Sequence, residues 1–229
     1  MRLLLFDIDG TLLRLRGGIG RRMFIDAFES TLSVNVAPAL ENMSFAGRTD
    51  RHLVTDISDR MGLDPVVTAT AWPSIRDTMM SRAQCLIVPD AVEILPGVHD
   101  LLKNLSREAV TLGLVTGNIR SIAFRKLQAA GLDSYFTEGA FGCEDPDRNQ
   151  LPPRAVTRLN SLNGTTYAHS DAVIIGDAPQ DIECAKHNGI RSIGVATGQH
   201  SSRELSACGA DAVLESFRDV SHSSVTILA

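Results

Sequence analysis

Apolar residues fall along the chain in two textures. Short unbroken runs end on glycine or aspartate: residues 3–8 stop at Asp9-Gly10, residues 110–116 at Gly117-Asn118, and residues 171–177 carry AVII into Gly176-Asp177. Runs of this length suit strands buried on both faces. Residues 192–197 form a fourth such run, and 211–214 a short edge strand. Between them the period changes to that of a helix. Leu101, Leu102 and Leu105 share one face of residues 98–105. Phe124, Leu127 and Ala130 recur at helical spacing before Gly131, a C-cap residue. Residues 182–187, closed by Gly189, make a short helix. Strands alternating with helices predict an α/β fold whose parallel sheet is covered on both faces.

Residues 17–94 break this alternation. They carry no convincing strand run and read as helical throughout. Met23, Phe24, Ala27, Phe28 and Leu32 make one apolar stripe; Leu53, Ile57 and Met61 make another, behind Thr49 as N-cap. Trp72, Ile75, Met79 and Met80 predict a third helix starting near Pro73. Gly17, Gly18 and Gly20 on one side, and Pro89 and Pro96-Gly97 on the other, mark the borders of an insertion. Two crossings between insert and core allow a hinge there, or a crossover packed rigidly on the sheet.

Composition narrows the class. The chain is 44% hydrophobic and 21% charged, ordinary for a globular protein. Its 27 acidic against 22 basic residues leave a net charge of −5, which argues against a nucleic-acid partner. An anionic ligand would therefore need a local cation or a few arginines. Cys85, Cys143, Cys184 and Cys208 are widely spaced and read as reduced, mostly buried thiols. No apolar run is long enough for a membrane span, and the N-terminal run is too short and wrongly flanked for a signal peptide. A cytoplasmic protein, monomeric or weakly dimeric, is expected.

The polar residues that matter collect where strands end, the usual ligand edge of an α/β sheet. Asp7 and Asp9, two apart as the chain leaves a strand, can face one side. Carboxylates so close repel unless one is protonated or a cation sits between them. One can act as a nucleophile while its neighbour handles protons. Gly10 would let the backbone approach a phosphate and offer its N–H. Thr116, with the N–H groups of residues 117–119 before a helix, suits an anion or simply caps that helix. Asp177 and Asp181 begin another helix, and with the first pair supply oxygen ligands that magnesium prefers.

DIDGT at residues 7–11, LVTGN at 114–118 and IIGDAPQD at 174–181, in this order and spacing, resemble the haloacid dehalogenase-like hydrolase superfamily over nearly the whole chain. The resemblance implies a Rossmann-like parallel-sheet core, residues 1–16 and 95–229, with an all-helical cap domain inserted at 17–94. It implies that Asp7 attacks phosphorus, and that Asp9 protonates the leaving alcohol and then deprotonates the hydrolytic water. Magnesium would be held by Asp7, the Asp9 carbonyl and Asp177, with Asp181 supporting. Thr116, Gly117 and Asn118 would bind the phosphoryl group.

The family usually sets a lysine before the last motif. Lys103, Lys126 and Lys186 all fall inside helices and outside that context. Arg148 is the best substitute, ahead of Arg154 or Arg120. Residues 45–52, FAGRTDRH, resemble a cap segment of phosphoglycolate-phosphatase-like members. Arg48 and Arg51, with Arg21, could meet an anionic group of the substrate, or pair with Asp26, Asp50 and Asp56. The expected function is a magnesium-dependent phosphatase acting on a small phosphorylated metabolite through an aspartyl-phosphate. A sugar-phosphate mutase and a non-catalytic phosphate- or protein-binding module remain as alternatives. The presence of Asp9 disfavours a dehalogenase, and a cap without lysine disfavours phosphonate cleavage.

Overall fold

The computed structural model describes residues 2–229. The chain enters through β1 (Arg2–Phe6) and a short strand β2 (Leu13–Leu15). It then builds four helices, α1 (Ile19–Leu32), α2 (Ala37–Leu40), α3 (Asp50–Arg60) and α4 (Pro65–Leu86), and returns through β3 (Val92–Ile94). The remainder alternates: α5 (Val98–Leu105), β4 (Val110–Thr116), α6 (Arg120–Ala130), β5 (Gly139–Phe141), α7 (Leu151–Asn163), β6 (Ala172–Gly176), α8 (Pro179–His187), β7 (Arg191–Val195), α9 (Ser202–Ala207), β8 (Ala212–Leu214) and α10 (Val220–Leu228).

Six strands form one parallel sheet in the order β5-β4-β1-β6-β7-β8. β1 sits between β4 and β6, with Leu5 opposite Gly113 on one side and Ile174 on the other. Its side chains divide by parity, as a pleated strand requires. Leu4 and Phe6 join the apolar cluster that includes α5, α6 and the inserted helices, whereas Leu3 and Leu5 join the cluster under α7 and α8. Both faces are thereby dry, and the unbroken run RLLLF needs no polar alternation. Chain order reverses at β1, so the loops leaving β1, β4 and β6 open beside one another.

The insert is helical, but its last turn corrects the expectation of no strand in residues 17–94. Val92–Ile94 pairs antiparallel with Leu13–Leu15, Leu13 opposite Ile94 and Leu15 opposite Val92. Three-residue strands are too short for a period to be read, and pairing alone makes them. The ribbon carries the chain both into and out of the insert. α4 is also longer than expected, beginning at Pro65 and not near Pro73. Asp64 accepts the Val66 N–H at 2.7 Å as its N-cap, and Pro65 takes the first-turn position that needs no donor. Pro73 lies inside this helix on its exposed side. The carbonyl it leaves unpaired, on exposed Ala69, can be hydrated.

Of the four cysteines, only Cys184 is buried, Cys85 being exposed and Cys143 and Cys208 partly so; all are free thiols. That corrects the reading of mostly buried thiols. Edge strand β5 and helices α9 and α10 carried too little pattern to be anticipated. No helix among the described residues is long and apolar enough to cross a membrane.

Candidate active site

Asp7 follows β1 directly, and its N–H donates to Ile175 C=O at 2.9 Å, holding the first loop against β6. The loop folds on itself because Ile8 C=O accepts from Leu12 and Leu13. Gly10 has φ +87, and a Cβ there would overlap the Asp177 carboxylate. Glycine is therefore required for the two loops to approach. The Gly10 N–H, expected as a phosphate donor, is instead donated to Leu13 C=O at 2.8 Å.

Asp177 leaves β6, and Thr11 Oγ1 donates to its Oδ1 at 3.2 Å. Asp181, in the first turn of α8, accepts the Ala178 N–H at 3.1 Å. One oxygen each from Asp7, Asp177 and Asp181 lies within 4.8 Å of the others, a buried group that could hold a metal ion. Arg148, in a short turn before α7, is the cation set among them. Its Nη2 donates to Asp7 Oδ1 at 3.2 Å, to Val115 C=O at 3.3 Å and to Asp181 Oδ1. Arg154 pairs with Asp145 and Arg120 with Glu138, both away from this group.

The electrostatics follow from burial. Burial pushes Asp7 up to about 7, Arg148 pulling it down while Asp181 and Asp9 push it further up. Burial also raises Asp177 to about 8, with Asp7 and Asp181 adding repulsion and the Thr11 hydrogen bond opposing. Burial alone would lower the Arg148 pKa, but Asp181 and Asp7 more than offset it and the value is raised. Three carboxylates against one guanidinium leave excess negative charge in a dry place. A divalent cation with hard oxygen ligands fits that donor set.

Asp9 stands apart from this trio. Its Oδ2 accepts from Asn118 Nδ2 at 2.7 Å and from Lys126 Nζ at 2.5 Å. Lys126 therefore does reach the site, although it lies in a helix. The buried face of α6 is Ile122, Ala123, Lys126 and Leu127, not the stripe through Phe124 expected above. A lysine at the centre of that face was the available signal. Thr116 is fully buried; its hydroxyl accepts from Asn118 Nδ2 at 2.8 Å and does not line the cavity. Its own proton remains to be donated.

The insert closes over these loops. Asp50 N–H donates to Gly117 C=O at 2.7 Å, and Ile119 N–H donates to Asp50 Oδ2 at 2.8 Å. The anion at the start of α6 is thus a carboxylate of the insert, and that N–H is not free for phosphate. Burial raises Asp50 to about 6, while Lys126 and the Ile119 N–H hold it lower. A Cβ on Gly117 would overlap the Arg48 carbonyl, so the glycine permits this approach. Thr49 Oγ1 adds a hydrogen bond to Pro146 C=O at 2.9 Å.

A cavity of about 380 Å³ lies between insert and core. Asp7, Asp9, Lys126, Arg148 and Asp177 form its floor, with Gly10, Gly117 and Asn118 beside them. Met23, Phe24, Phe45 and Leu53 form an apolar wall from the insert. Arg21 and Arg48 also line it. Arg21 lies over the Phe45 ring and donates to Met43 C=O at 2.7 Å and to Leu40 C=O. Arg48 pairs with Asp56. Arg51 is exposed on α3 and outside the lining.

Known proteins carry the same plan. A family model described as haloacid dehalogenase-like hydrolase matches residues 4–195. The probable phosphatase IndB of Dickeya dadantii is 26% identical over 221 residues, covering 95% of this chain and 91% of that protein. A phosphoglycolate phosphatase of Synechococcus elongatus is 25% identical, covering 96% and 95%. Among solved structures, a predicted phosphatase from Clostridium acetobutylicum superposes with a TM-score of 0.72 at 23% identity, covering 99% and 98% of the two chains. CbbY from Rhodobacter sphaeroides, in complex with phosphate, gives 0.67 at 19% identity, covering 96% of each.

Proposed function

Because the chain belongs to the haloacid dehalogenase-like hydrolases, we propose that it is a magnesium-dependent phosphatase of small phosphate monoesters, working through an aspartyl-phosphate. The observation that carries this reading is the division of the floor. Three buried carboxylates lie together, two of them, Asp7 and Asp181, paired with one guanidinium, while the fourth, Asp9, is held separately at the cavity.

Asp7, Asp177 and Asp181 would hold the cation, with the Asp9 backbone carbonyl. When bound, magnesium supplies positive charge that screens the phosphoryl oxygens from these acids. An Asp7 oxygen attacks phosphorus, the ester P–O bond breaks, and the departing oxygen takes its proton from Asp9, giving the alcohol. Asp9, now a carboxylate, removes a proton from water, whose oxygen attacks the phosphorus of the acyl phosphate. The Asp7–phosphorus bond breaks, phosphate leaves, and both acids return to their starting forms. Arg148 keeps Asp7 oriented and opposes its charge, and the Gly117–Asn118 loop, which Thr116 braces through Asn118, meets the phosphoryl group. The leaving group would lie against the insert, among Phe24, Phe45, Arg21 and Arg48, where selectivity belongs.

The test is release of inorganic phosphate from p-nitrophenyl phosphate and a panel of small esters, with and without magnesium, by wild type and D7N. Metal-dependent turnover lost in D7N is expected. A folded wild type that turns over no ester in magnesium would overturn the reading.

A further inference from the structure

The phosphatase reading gives Asp9 two proton transfers but does not say what aims it. Among the described residues, Asp9 Oδ2 has two donors and Oδ1 has none. The Asp9 side chain is 43% exposed, and that of its partner Lys126 6%. A buried ammonium is costly unless it is paired. Here it donates to Asp9 Oδ2 and to Asn118 Oδ1, each at 2.5 Å. Asn118 Nδ2 closes the ring on Asp9 at 2.7 Å. The ring also fixes the amide's orientation, since its oxygen must face the ammonium and its nitrogen the carboxylate.

From this geometry we infer that Lys126 is a positioning residue: with Asn118 it fixes Oδ2 of Asp9, so that Oδ1 is the oxygen presented to the leaving group. The inference rests on the phosphatase reading and adds a cation distinct from Arg148. Arg148 donates to Asp7 and Asp181 of the buried trio, whereas the Lys126 ammonium donates to Asp9 and Asn118. Placement on α6 explains the reach. Helical side chains lean toward the N-terminus, so a lysine in the second turn of α6 sends its head back to the loop after β4. Its stem lies beside Ile122, one turn earlier on the same face and also at the cavity.

Two esters separate positioning from mere support of the fold. A p-nitrophenolate departs without a proton, whereas an alkoxide needs one from Asp9. The kcat/KM of each therefore reads Asp9 differently in the step that forms the phosphoenzyme. In K126M the ratio of alkyl-ester to p-nitrophenyl-ester kcat/KM should fall by about tenfold or more. Added to D9N, K126M should lower the alkyl-ester rate by no more than about twofold, because Lys126 acts through Asp9. K126Q, which stays polar but carries no charge and ends one bond short of Asp9, repeats the test should K126M melt below the assay temperature. Equal losses on both esters, or a full further loss on the D9N background, would overturn this inference while leaving the phosphatase reading intact. No turnover by wild type on either ester would overturn both.

Discussion

At Arg148 the chain places a fork where a relative with lysine would place a point charge. One guanidinium nitrogen, Nη2, donates to Asp7, Asp181 and the Val115 carbonyl, and the rigid planar group behind it fixes where that nitrogen sits. Removing it leaves two buried acids without a counter-charge. R148M should lose about a hundredfold or more in kcat/KM on p-nitrophenyl phosphate, by analogy with deletion of one preorganised donor. R148K should recover part of that loss, since it restores the charge without the rigid planar group. Steady-state kinetics on the two variants check both statements, and a loss under about threefold in R148M would contradict the role. Arg148 was singled out in the sequence because a basic residue was missing from its usual place. Lys126 lies inside a helix and outside the usual context of the family's lysine, and a stripe through Phe124 hides that the packed face runs through Ile122 and Lys126.

Between elements, the start of α3 is tied to the start of α6 by two hydrogen bonds that link insert to core. Asp50 takes the Ile119 N–H and gives its own N–H to Gly117, so one residue serves both helix ends. Its carboxyl is raised from 3.8 to about 6, burial being the main cause. A folded-state value above the unfolded one stabilises the protonated form. That contribution is complete below about pH 4 and is lost as pH rises through about 6. D50N stays neutral and keeps an oxygen for the Ile119 N–H. The stability of wild type relative to D50N should therefore fall as pH rises from about 4 to about 7, by up to about 2 kcal/mol given the partial exposure of Asp50. Urea unfolding in EDTA at the two ends of that range measures it. A relative gain by wild type would mean that Lys126 outweighs burial. The sequence offered Asp50 only as a partner for arginines, because nothing local says which loop a first-turn acid will meet.

For the whole molecule, the carboxylate cluster is a standing cost that a cation would offset. Burial holds Asp7 near 7 and Asp177 near 8, with no oppositely charged group beyond Arg148 in contact with the trio among the described residues. Magnesium should therefore raise the melting temperature of wild type, by the equivalent of about 2.7 kcal/mol at a hundredfold excess over Kd. D177N should lose most of that shift. Thermal melts with and without EDTA decide it, and an unchanged wild-type melting temperature would contradict the cation site.

The buried strand runs, the turn glycines and the three motifs at the strand ends were legible in the sequence, because burial on both faces and tight turns leave local signatures. The same runs implied that Asp7, Thr116 and Asp177 share one sheet edge, since parallel strands must present their carboxyl ends together. Tertiary structure decided the rest. It set the ribbon of β2 and β3, whose three-residue strands exist only through their pairing. It engaged the N–H groups of Gly10 and Ile119, which in sequence looked open to phosphate. It also brought Lys126 to Asp9, 117 residues away, and Asp50 to Ile119, 69 residues away. Contacts of that separation depend on helix rotation and on how the insert docks, and neither leaves a trace in the local order of residues.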